Sequence, residues 1–343
     1  MGLLRSASER ASPLLPDAAR AHLQGLLEGV GLAPLKAAQA RSSVIYRDGG
    51  ASDRAIGDEA AALAYVVARL PATYAACVSA MNAVRKVVPE FAPRTQLDLG
   101  AGPGTAALAA RVVWSSLAQQ VLVEPHGRLR ALGQGLVRAS GAEVDWVDAR
   151  LAALTGAALT RLDLTKPVQA ADLVTLSYVL AELGEDEVEG LLKGLRGLFQ
   201  SVLLIVEPGT PHGFKRLLRA REALLALGAE MLAPCPHFQA CPLTASDWCH
   251  FSVRLARSTA HKALKGADVP FEDEPYAYLA VTFDRQLKAA RPMARVLRNP
   301  VVEKGFVDVV VCAANGQRET RRVLRRDKAA YKSAKNAEPG DGV

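Results

Sequence analysis

The sequence predicts an α/β fold: a doubly wound parallel sheet with an N-terminal helical cap and a cysteine-rich insertion. Three observations predict it. Short apolar runs alternate with helix-like segments between about residues 92 and 210, as strands and helices alternate in a parallel sheet. A glycine-rich stretch, Asp98-Leu-Gly-Ala-Gly-Pro-Gly104, ends the first of these runs. Three cysteines fall in a Pro-rich segment at about 233–252.

Residues 1–90 form the predicted helical region. Residues 17–29 and 58–70 are rich in Ala and Leu, and Pro71 is expected in the first turn of a further helix, a position that proline favours. Apolar side chains then recur at helical spacing, which places Cys77 in the core. This region carries no recognisable chemistry.

Five strands are predicted in the central domain, residues 91–318. They cover residues 96–100, 121–125, 144–148, 172–180 and 201–209. A helix is expected over 214–232. Two late strands, residues 276–283 and 306–312, are expected to close the sheet as an antiparallel pair.

The glycine stretch predicts a ligand-binding turn between a strand and a helix. Gly100, Gly102 and Gly104 stand at alternate positions, which differs from the G-x-G-x-x-G spacing of dinucleotide-binding proteins. Glycine allows a positive φ and a close approach of a ligand to the backbone. This spacing, with Asp98 two residues ahead of Gly100, resembles motif I of the class I S-adenosylmethionine (SAM) methyltransferases.

Further polar residues follow the predicted strands where a SAM site would need them. Asp98 would suit the ammonium group of the ligand or its water shell, and Glu124 could accept hydrogen bonds from the ribose hydroxyls. Asp148 could face the adenine amino group, and Ser177 would line the opposite wall. The carboxyl ends of the strands are where open α/β sheets bind their ligands.

The chain is basic, and its charge is concentrated near the end. The 343 residues carry a formal charge of +7, and residues 318–335 hold eight Lys and Arg. A basic C-terminal tail, residues 319–343, indicates a polyanionic partner such as RNA. The candidate RNA-binding residues are Arg321, Arg322, Arg325, Arg326, Lys328 and Lys332. No apolar run reaches the roughly 20 residues of a membrane span, so no membrane partner is expected.

The cysteine pattern predicts a metal site rather than disulfides. No secretory signal is recognisable, so a reducing compartment is expected: the cytoplasm, or the mitochondrial matrix in a eukaryote. The candidate ligands are Cys235, Cys241, Cys249 and Cys312. Four thiolates suit zinc or an iron–sulfur cluster. Close C-x2–4-C pairs are absent, which favours iron–sulfur, with zinc as the alternative and His237 or His250 as its further ligands.

Beyond motif I, the sequence from about residue 40 to 342 resembles the Rsm-type small-ribosomal-subunit assembly proteins, a methyltransferase-like family. The resemblance is carried by these segments and by the basic tail: Leu70–Tyr74, Asp98–Gly104, Ser177–Leu183, Glu207-Pro-Gly-Thr-Pro, Cys235-Pro-His, Cys241-Pro-Leu and Asp247–Phe251. It implies a methyltransferase fold, binding to the small ribosomal subunit during its maturation, and a four-iron four-sulfur (4Fe–4S) cluster on the four candidate cysteines.

Three functions fit these observations. The first is a SAM-dependent RNA methyltransferase, and the second is a ribosome assembly factor that uses the fold only for binding. After the fourth strand the sequence reads Ser177-Tyr-Val-Leu and lacks the Asn/Asp-Pro-Pro-Tyr of amino-group methyltransferases, so no catalytic base is assigned. The third, a zinc-containing small-molecule methyltransferase, leaves the basic tail without a role. A monomer is expected.

Overall fold

The computed structural model describes residues 13–47, 55–142, 144–151, 171–196, 198–243 and 247–343. The helical region contains α1 (Asp17–Leu27), α2 (Leu32–Arg47) and the long α3 (Glu59–Val87). Asp58 caps α3 by accepting a hydrogen bond from the N–H of Ala61 at 2.7 Å. Pro71 was expected to begin a new helix, but it lies inside α3, and Cys77 is fully buried as predicted.

The central sheet is mixed and has eight strands. Its parallel part consists of β1 (Thr95–Leu99), β2 (Gln119–Val123), β3 (Asp145–Val147), β4 (Ala171–Ser177) and β5 (Phe199–Pro208). The antiparallel part consists of β6 (Glu230–Ala233), β7 (Phe251–Ala256) and β8 (Phe271–Thr282). The strand order is β3-β2-β1-β4-β5-β8-β6, and β7 also pairs with β8. This is the arrangement of a SAM-methyltransferase-like fold.

The remaining helices cover both faces of the central sheet. One face packs α4 (Thr105–Val113) and α5 (Gly127–Ala139) together with α3. The other face packs α6 (Glu185–Leu195) and α7 (Pro211–Ala226). Because β2 and β4 flank β1 on opposite sides, the chain reverses its direction across the sheet at β1. Open α/β sheets bind ligands at such a point.

The C-terminal part forms a second, four-stranded sheet. It contains β9 (Ala294–Val296), β10 (Val301–Val302), β11 (Phe306–Ala313) and β12 (Arg318–Leu324). Helix α9 (Lys328–Lys335) packs on one face of this sheet, and the short α8 (Thr259–Lys265) precedes β8. The prediction that residues 306–312 close the central sheet is wrong. The edge strand there is β6, whose residues were expected to end a helix.

One helix of the described residues, α3, is long and apolar enough to cross a membrane. Its most apolar 18-residue window has a mean hydropathy of 1.4, and 72% of that window is buried within the protein. The core helix of a globular protein shows the same pattern, because a helix that is apolar all round is buried on all sides.

Candidate cofactor and metal sites

The glycine turn lies at the carboxyl end of β1 and presents one of its glycines to open space. A Cβ on Gly100 would stand 2.6 Å from Val179 Cγ2, and one on Gly104 would stand 2.8 Å from Val137 Cγ2. At Gly102, by contrast, no heavy atom of the described residues lies within 4 Å of a Cβ position. Its φ is +55°. Packing therefore requires glycine at Gly100 and Gly104, whereas Gly102 borders open space. A ligand at Gly102 stays a prediction.

Glu124, at the end of β2, holds this turn in place. One carboxylate oxygen accepts from the N–H of Gly102 at 2.7 Å, and the other accepts from the N–H of His126 at 2.7 Å. The side chain is buried, and burial raises the pKa of its carboxyl group although both hydrogen bonds oppose that rise. Binding of a ribose at Glu124 stays a prediction, and it would use the remaining lone pairs of these oxygens.

Asp98 lies beneath the turn in a buried polar chain. Thr175 Oγ1 donates to Asp98 Oδ1 at 2.6 Å, and the Gln96 amide donates to Thr175 Oγ1 at 3.0 Å. Asp98 Oδ2 is buried without a hydrogen-bond partner among the described residues. Burial raises the pKa of Asp98 to about 7. A carboxylate with an unsatisfied buried oxygen beside a glycine turn fits the ammonium group of an amino-acid ligand.

Asp148 and Ser177 lie at the other strand ends, as the sequence predicts. Asp148 is largely exposed, and its Oδ2 accepts from Arg130 Nη2 at 2.7 Å. Ser177 ends β4, where its Oγ lies 3.6 Å from the buried Cys77 Sγ. Contact of Asp148 with the adenine amino group stays a prediction.

Tyr178, directly after β4, has a left-handed backbone with a φ of +61°. Its hydroxyl donates to Glu274 Oε1 at 3.2 Å, and Arg69 Nη2 lies 3.1 Å from the same oxygen. A non-glycine residue in this conformation is uncommon and costs about 1–3 kcal/mol. Glu274 thus links the phenol of Tyr178 and the guanidinium group of Arg69 just beyond the carboxyl end of β4.

The four candidate cysteines line one apolar cavity, although they come from separate parts of the chain. Three lie in the segment that follows β6, and Cys312 comes from β11 of the second sheet. The cavity has a volume of about 50 Å³. Since one water molecule needs roughly 10–15 Å³, it has room for a group of several atoms.

The four thiols are not gathered around a single point. Within the described residues, no three His, Cys, Asp or Glu side chains are arranged to hold one metal ion. A tetrahedral zinc site would need all its sulfurs about 2.3 Å from one centre. Burial raises the pKa of Cys241 and Cys249, and raises that of Cys312 to about 12. The thiols of these three cysteines are therefore protonated at neutral pH in the metal-free protein.

The two histidines proposed as zinc ligands occupy different places. His237 is buried, lines the cavity and has its Nε2 3.1 Å from Cys312 Sγ. Burial lowers the pKa of His237, so its imidazole is neutral. His250 stacks on Trp248 with ring centroids 5.4 Å apart and lies outside the residues that line the cavity.

The candidate RNA-binding residues fall into two groups. Arg321 pairs with Glu319 at 3.1 Å, and Arg322 pairs with Asp308 at 2.7 Å. The other four are exposed, and no carboxylate of the described residues lies within 4 Å of their charged atoms: Arg325, Arg326, Lys328 and Lys332. The first group lies on β12, so the predicted tail is partly a strand of the second sheet.

Comparison with known proteins decides the family. The family model described as "Rsm22: Mitochondrial small ribosomal subunit Rsm22" matches residues 59–343. The chain belongs to the Rsm22 family. It is also 29% identical over 209 residues to a Homo sapiens protein named "Ribosome assembly protein METTL17, mitochondrial". That match covers 57% of this chain and 44% of the human protein, so it spans less than half the length of that relative.

Solved methyltransferase structures resemble the chain only distantly. An O-methyltransferase family protein from Burkholderia thailandensis is 16% identical with a TM-score of 0.41, covering 62% of this chain and 67% of its own. Magnesium protoporphyrin IX methyltransferase from Synechocystis, solved with S-adenosylhomocysteine (SAH), is 13% identical with a TM-score of 0.35, covering 59% and 75%. Likeness at this level carries no substrate or activity over to this Rsm22-family chain.

Sequence reasoning missed three features of these sites. The cysteine cavity is lined by Arg221 of α7 and Arg295 of β9. An arginine in a sequence is ordinarily predicted to lie at the surface. Tyr178 was noted only within a stretch that lines the pocket, because nothing in a sequence reveals a positive φ at a tyrosine. The contact of His237 with Cys312 joins residues 75 positions apart, and only the Cys-Pro-His spacing pointed to that histidine.

Proposed function

We propose that this Rsm22-family protein binds the small ribosomal subunit RNA and supports assembly of that subunit, with SAM at the glycine turn and a 4Fe–4S cluster on Cys235, Cys241, Cys249 and Cys312. The assembly role is supported by the family and by the human relative, which is named a ribosome assembly protein. That mitochondrial relative supports a location in the mitochondrial matrix if the chain is eukaryotic.

The single observation that carries the proposal is the shared cysteine cavity. Four thiols, three from the segment after β6 and one from β11, line a space large enough for several atoms, and their spacing in the sequence lacks the close C-x2–4-C pairs usual for zinc. This arrangement supports a multi-atom cluster over one zinc ion. The cluster would tie the irregular loop to the second sheet, so its binding energy would be folding energy for that loop.

Iron and sulfide analysis of anaerobically purified protein, with its visible spectrum, tests the cluster. We expect about four of each per chain, as the cluster type requires, and a broad brown absorbance. A colourless protein that carries one zinc after preparation with iron supplied would reject the cluster and favour the zinc-containing alternative.

SAM binding is supported by the open space at Gly102 and by the unsatisfied oxygen of Asp98. Asp98, Glu124 and the turn would hold the ligand, which would supply an electrophilic methyl group. Calorimetric titration with SAM and with SAH tests this on metal-loaded protein. Absence of heat with both ligands would contradict it.

A non-catalytic assembly factor is the second candidate, and one observation favours it. Glu274 Oε1 already accepts from the hydroxyl of Tyr178, which follows β4, and from Arg69. This carboxylate is therefore poorly placed to take a proton from a methyl acceptor as a general base. Incubation with radiolabelled SAM and small-subunit RNA separates the candidates, since only the enzyme transfers label.

A further inference from the structure

Two buried arginines share the cavity of the four cysteines. Arg221 is 5% exposed and Arg295 is 7% exposed, and both line the cavity together with the thiols. They belong to different elements, α7 and β9, so no short sequence pattern brings them together. Arginine is seldom this buried without an anionic partner.

The hydrogen bonds of both side chains go to backbone carbonyls. Arg221 Nη2 donates to the carbonyl oxygens of Gln239 at 2.7 Å and of His237 at 3.5 Å. Arg295 donates through Nε to the carbonyl of Pro234 and through Nη1 to that of Gly340. Three of these four carbonyls lie in the cysteine-bearing segment.

Neither arginine forms an ion pair with a carboxylate in the part of the chain that the structure describes. Over the described ranges, no Asp or Glu oxygen lies within 4 Å of a nitrogen of Arg221 or Arg295. Arg221 Nε is also buried without a hydrogen-bond partner in that part of the chain. A buried positive charge without a contacting negative charge is unfavourable, which favours an anionic group in the cavity.

A metal centre on four cysteines would supply the negative charge that the two arginines lack as a partner. Four thiolates carry four negative charges, and neither Zn²⁺ nor a four-iron core in its +2 state offsets more than two of them. Two guanidinium groups would neutralise the two negative charges that remain. Arg295 is the direct cross-strand neighbour of Cys312, so one of the two cations is fixed beside a ligand.

We propose that Arg221 and Arg295 are the counter-charges of the cysteine-bound metal centre and that the unsatisfied Nε–H of Arg221 donates to it. This inference rests on the proposed metal centre. The two side chains act as positioning residues: they hold the cysteine-bearing segment by its carbonyls and set the reduction potential of the centre. Positive charge and hydrogen bonds to sulfur both favour the reduced, more negative form.

The test compares Arg221→Gln, Arg221→Lys and Arg295→Gln in the full chain, purified anaerobically. Arg219→Gln is the matched control, because Arg219 lies on the same helix but is half-exposed and pairs with Glu185. Iron, sulfide and zinc contents are measured first. The midpoint potential is then measured by redox titration followed by visible absorbance.

Both Gln variants are expected to retain iron but to show a lower midpoint potential than the wild type. The Arg219 control should match the wild type, and Arg221→Lys should fall between wild type and Arg221→Gln because it keeps the charge and loses the Nε–H. If the Gln variants lose iron while Arg221→Lys keeps it, the counter-charge role is also supported.

Two results would overturn the inference while leaving the metal centre in place. One is full iron content with an unchanged potential in both Gln variants. The other is loss of iron from Arg221→Lys as fully as from Arg221→Gln, which would limit Arg221 to holding the loop carbonyls. If wild type holds zinc, the same variants are compared by zinc competition with a chelator, and equal affinities reject the inference. Wild-type protein without any metal rejects the proposed centre and this inference together.

Discussion

The glycine turn and the cysteine cavity are two candidate sites built in opposite ways. The turn is made by consecutive residues, Asp98 to Gly104, and a single neighbouring strand end, Glu124, fixes its backbone. The cavity collects side chains from α7, the segment after β6, β9 and β11. A local site forms once one strand–turn–helix unit folds, whereas the cavity requires the two sheets to dock.

The cysteine-bearing segment contacts the central sheet at the end of β5. Trp248, beside Cys249, donates its indole N–H to the carbonyl of Gly209 at 2.9 Å. The glycine turn is held between a strand and a helix, whereas part of the cavity wall is an irregular Pro-rich segment. We therefore expect that loss of the metal centre disorders the cysteine region and leaves the glycine turn formed.

Removal of one cysteine ligand should give the largest effect. It tests whether the glycine turn stays formed without the metal centre. We expect Cys312→Ser to lose nearly all iron and most ribosomal RNA binding, because the metal centre then lacks one of its four ligands. The variant should bind SAM as the wild type does. Iron and sulfide analysis and calorimetry check both expectations. A loss of SAM binding along with the iron would show that the two regions depend on each other.

Cys77→Ser provides the matched control, since it makes the same chemical change in a buried thiol of α3. This variant should keep its iron even if burial of a hydroxyl lowers its free energy of unfolding by about 1–3 kcal/mol. Full iron content in Cys312→Ser would instead indicate another fourth ligand. His237 would be the first to examine, because its Nε2 lies 3.1 Å from Cys312 Sγ.

A side chain at Gly102 should abolish SAM binding and leave the metal centre intact. Gly102→Leu would fill the open space above the turn, so we expect no calorimetric heat with SAM at concentrations that saturate the wild type. Gly266→Leu is the control. Gly266 has a φ of +59° against +55° at Gly102, and at neither does a heavy atom of the described residues lie within 4 Å of the Cβ position.

Both substitutions therefore impose a similar backbone cost of about 1–2 kcal/mol. Only the Gly102 variant should lose the ligand. Equal SAM affinity in the two variants would place the ligand elsewhere and remove the assignment of the glycine turn.

The same contrast explains how much the sequence could predict. The turn, the five parallel strands and the position of Glu124 were predictable because the signals are local. Residues 230–232 were expected to end a helix, since Glu, Met and Leu favour helices, and only pairing with β8 makes them part of a strand. The Val-rich strand with Cys312 fits any sheet, so its place in the second sheet could not be deduced. The partnership of Arg221 with distant loop carbonyls leaves no sequence signal at all.

Asp98 belongs to the local site, but its burial depends on residues distant in the sequence. The pKa shift that this burial causes should make the free energy of unfolding depend on pH. Burial raises its pKa to about 7 in the folded protein, whereas an unfolded Asp titrates near pH 3.9. Between these values the folded state binds a proton that the unfolded state releases. The contribution of Asp98 to the free energy of unfolding is therefore largest below about pH 4 and falls as pH rises to 7.

The fall is at most about 4 kcal/mol, or roughly 1.4 kcal/mol per pH unit. We expect urea unfolding of metal-loaded Asp98→Asn to show less loss of stability between pH 5 and 8 than the wild type. An identical pH dependence in Asp98→Asn and the wild type would contradict the shifted pKa.

The smallest expected effect distinguishes the two groups of C-terminal cations. Arg325 and Arg326 are exposed and have no carboxylate within 4 Å among the described residues, whereas Asp308 binds Arg322 through two hydrogen bonds of 2.8 and 2.7 Å. Deleting the whole tail would remove β12 and disturb the sheet that carries Cys312, so single charges are better changed. Each phosphate contact contributes about 0.7–0.9 to the slope of log affinity against log salt.

We therefore expect Arg325→Gln with Arg326→Gln to weaken binding of small-subunit RNA and to reduce that slope by about 1.4–1.8. Arg322→Gln should change the slope less, because Asp308 already offsets its charge. Iron content, measured on the same samples, should stay at the wild-type level in all of them. If the double variant keeps the wild-type slope, the RNA lies on another face, and the second sheet then serves the metal site without contacting the ribosome through these arginines.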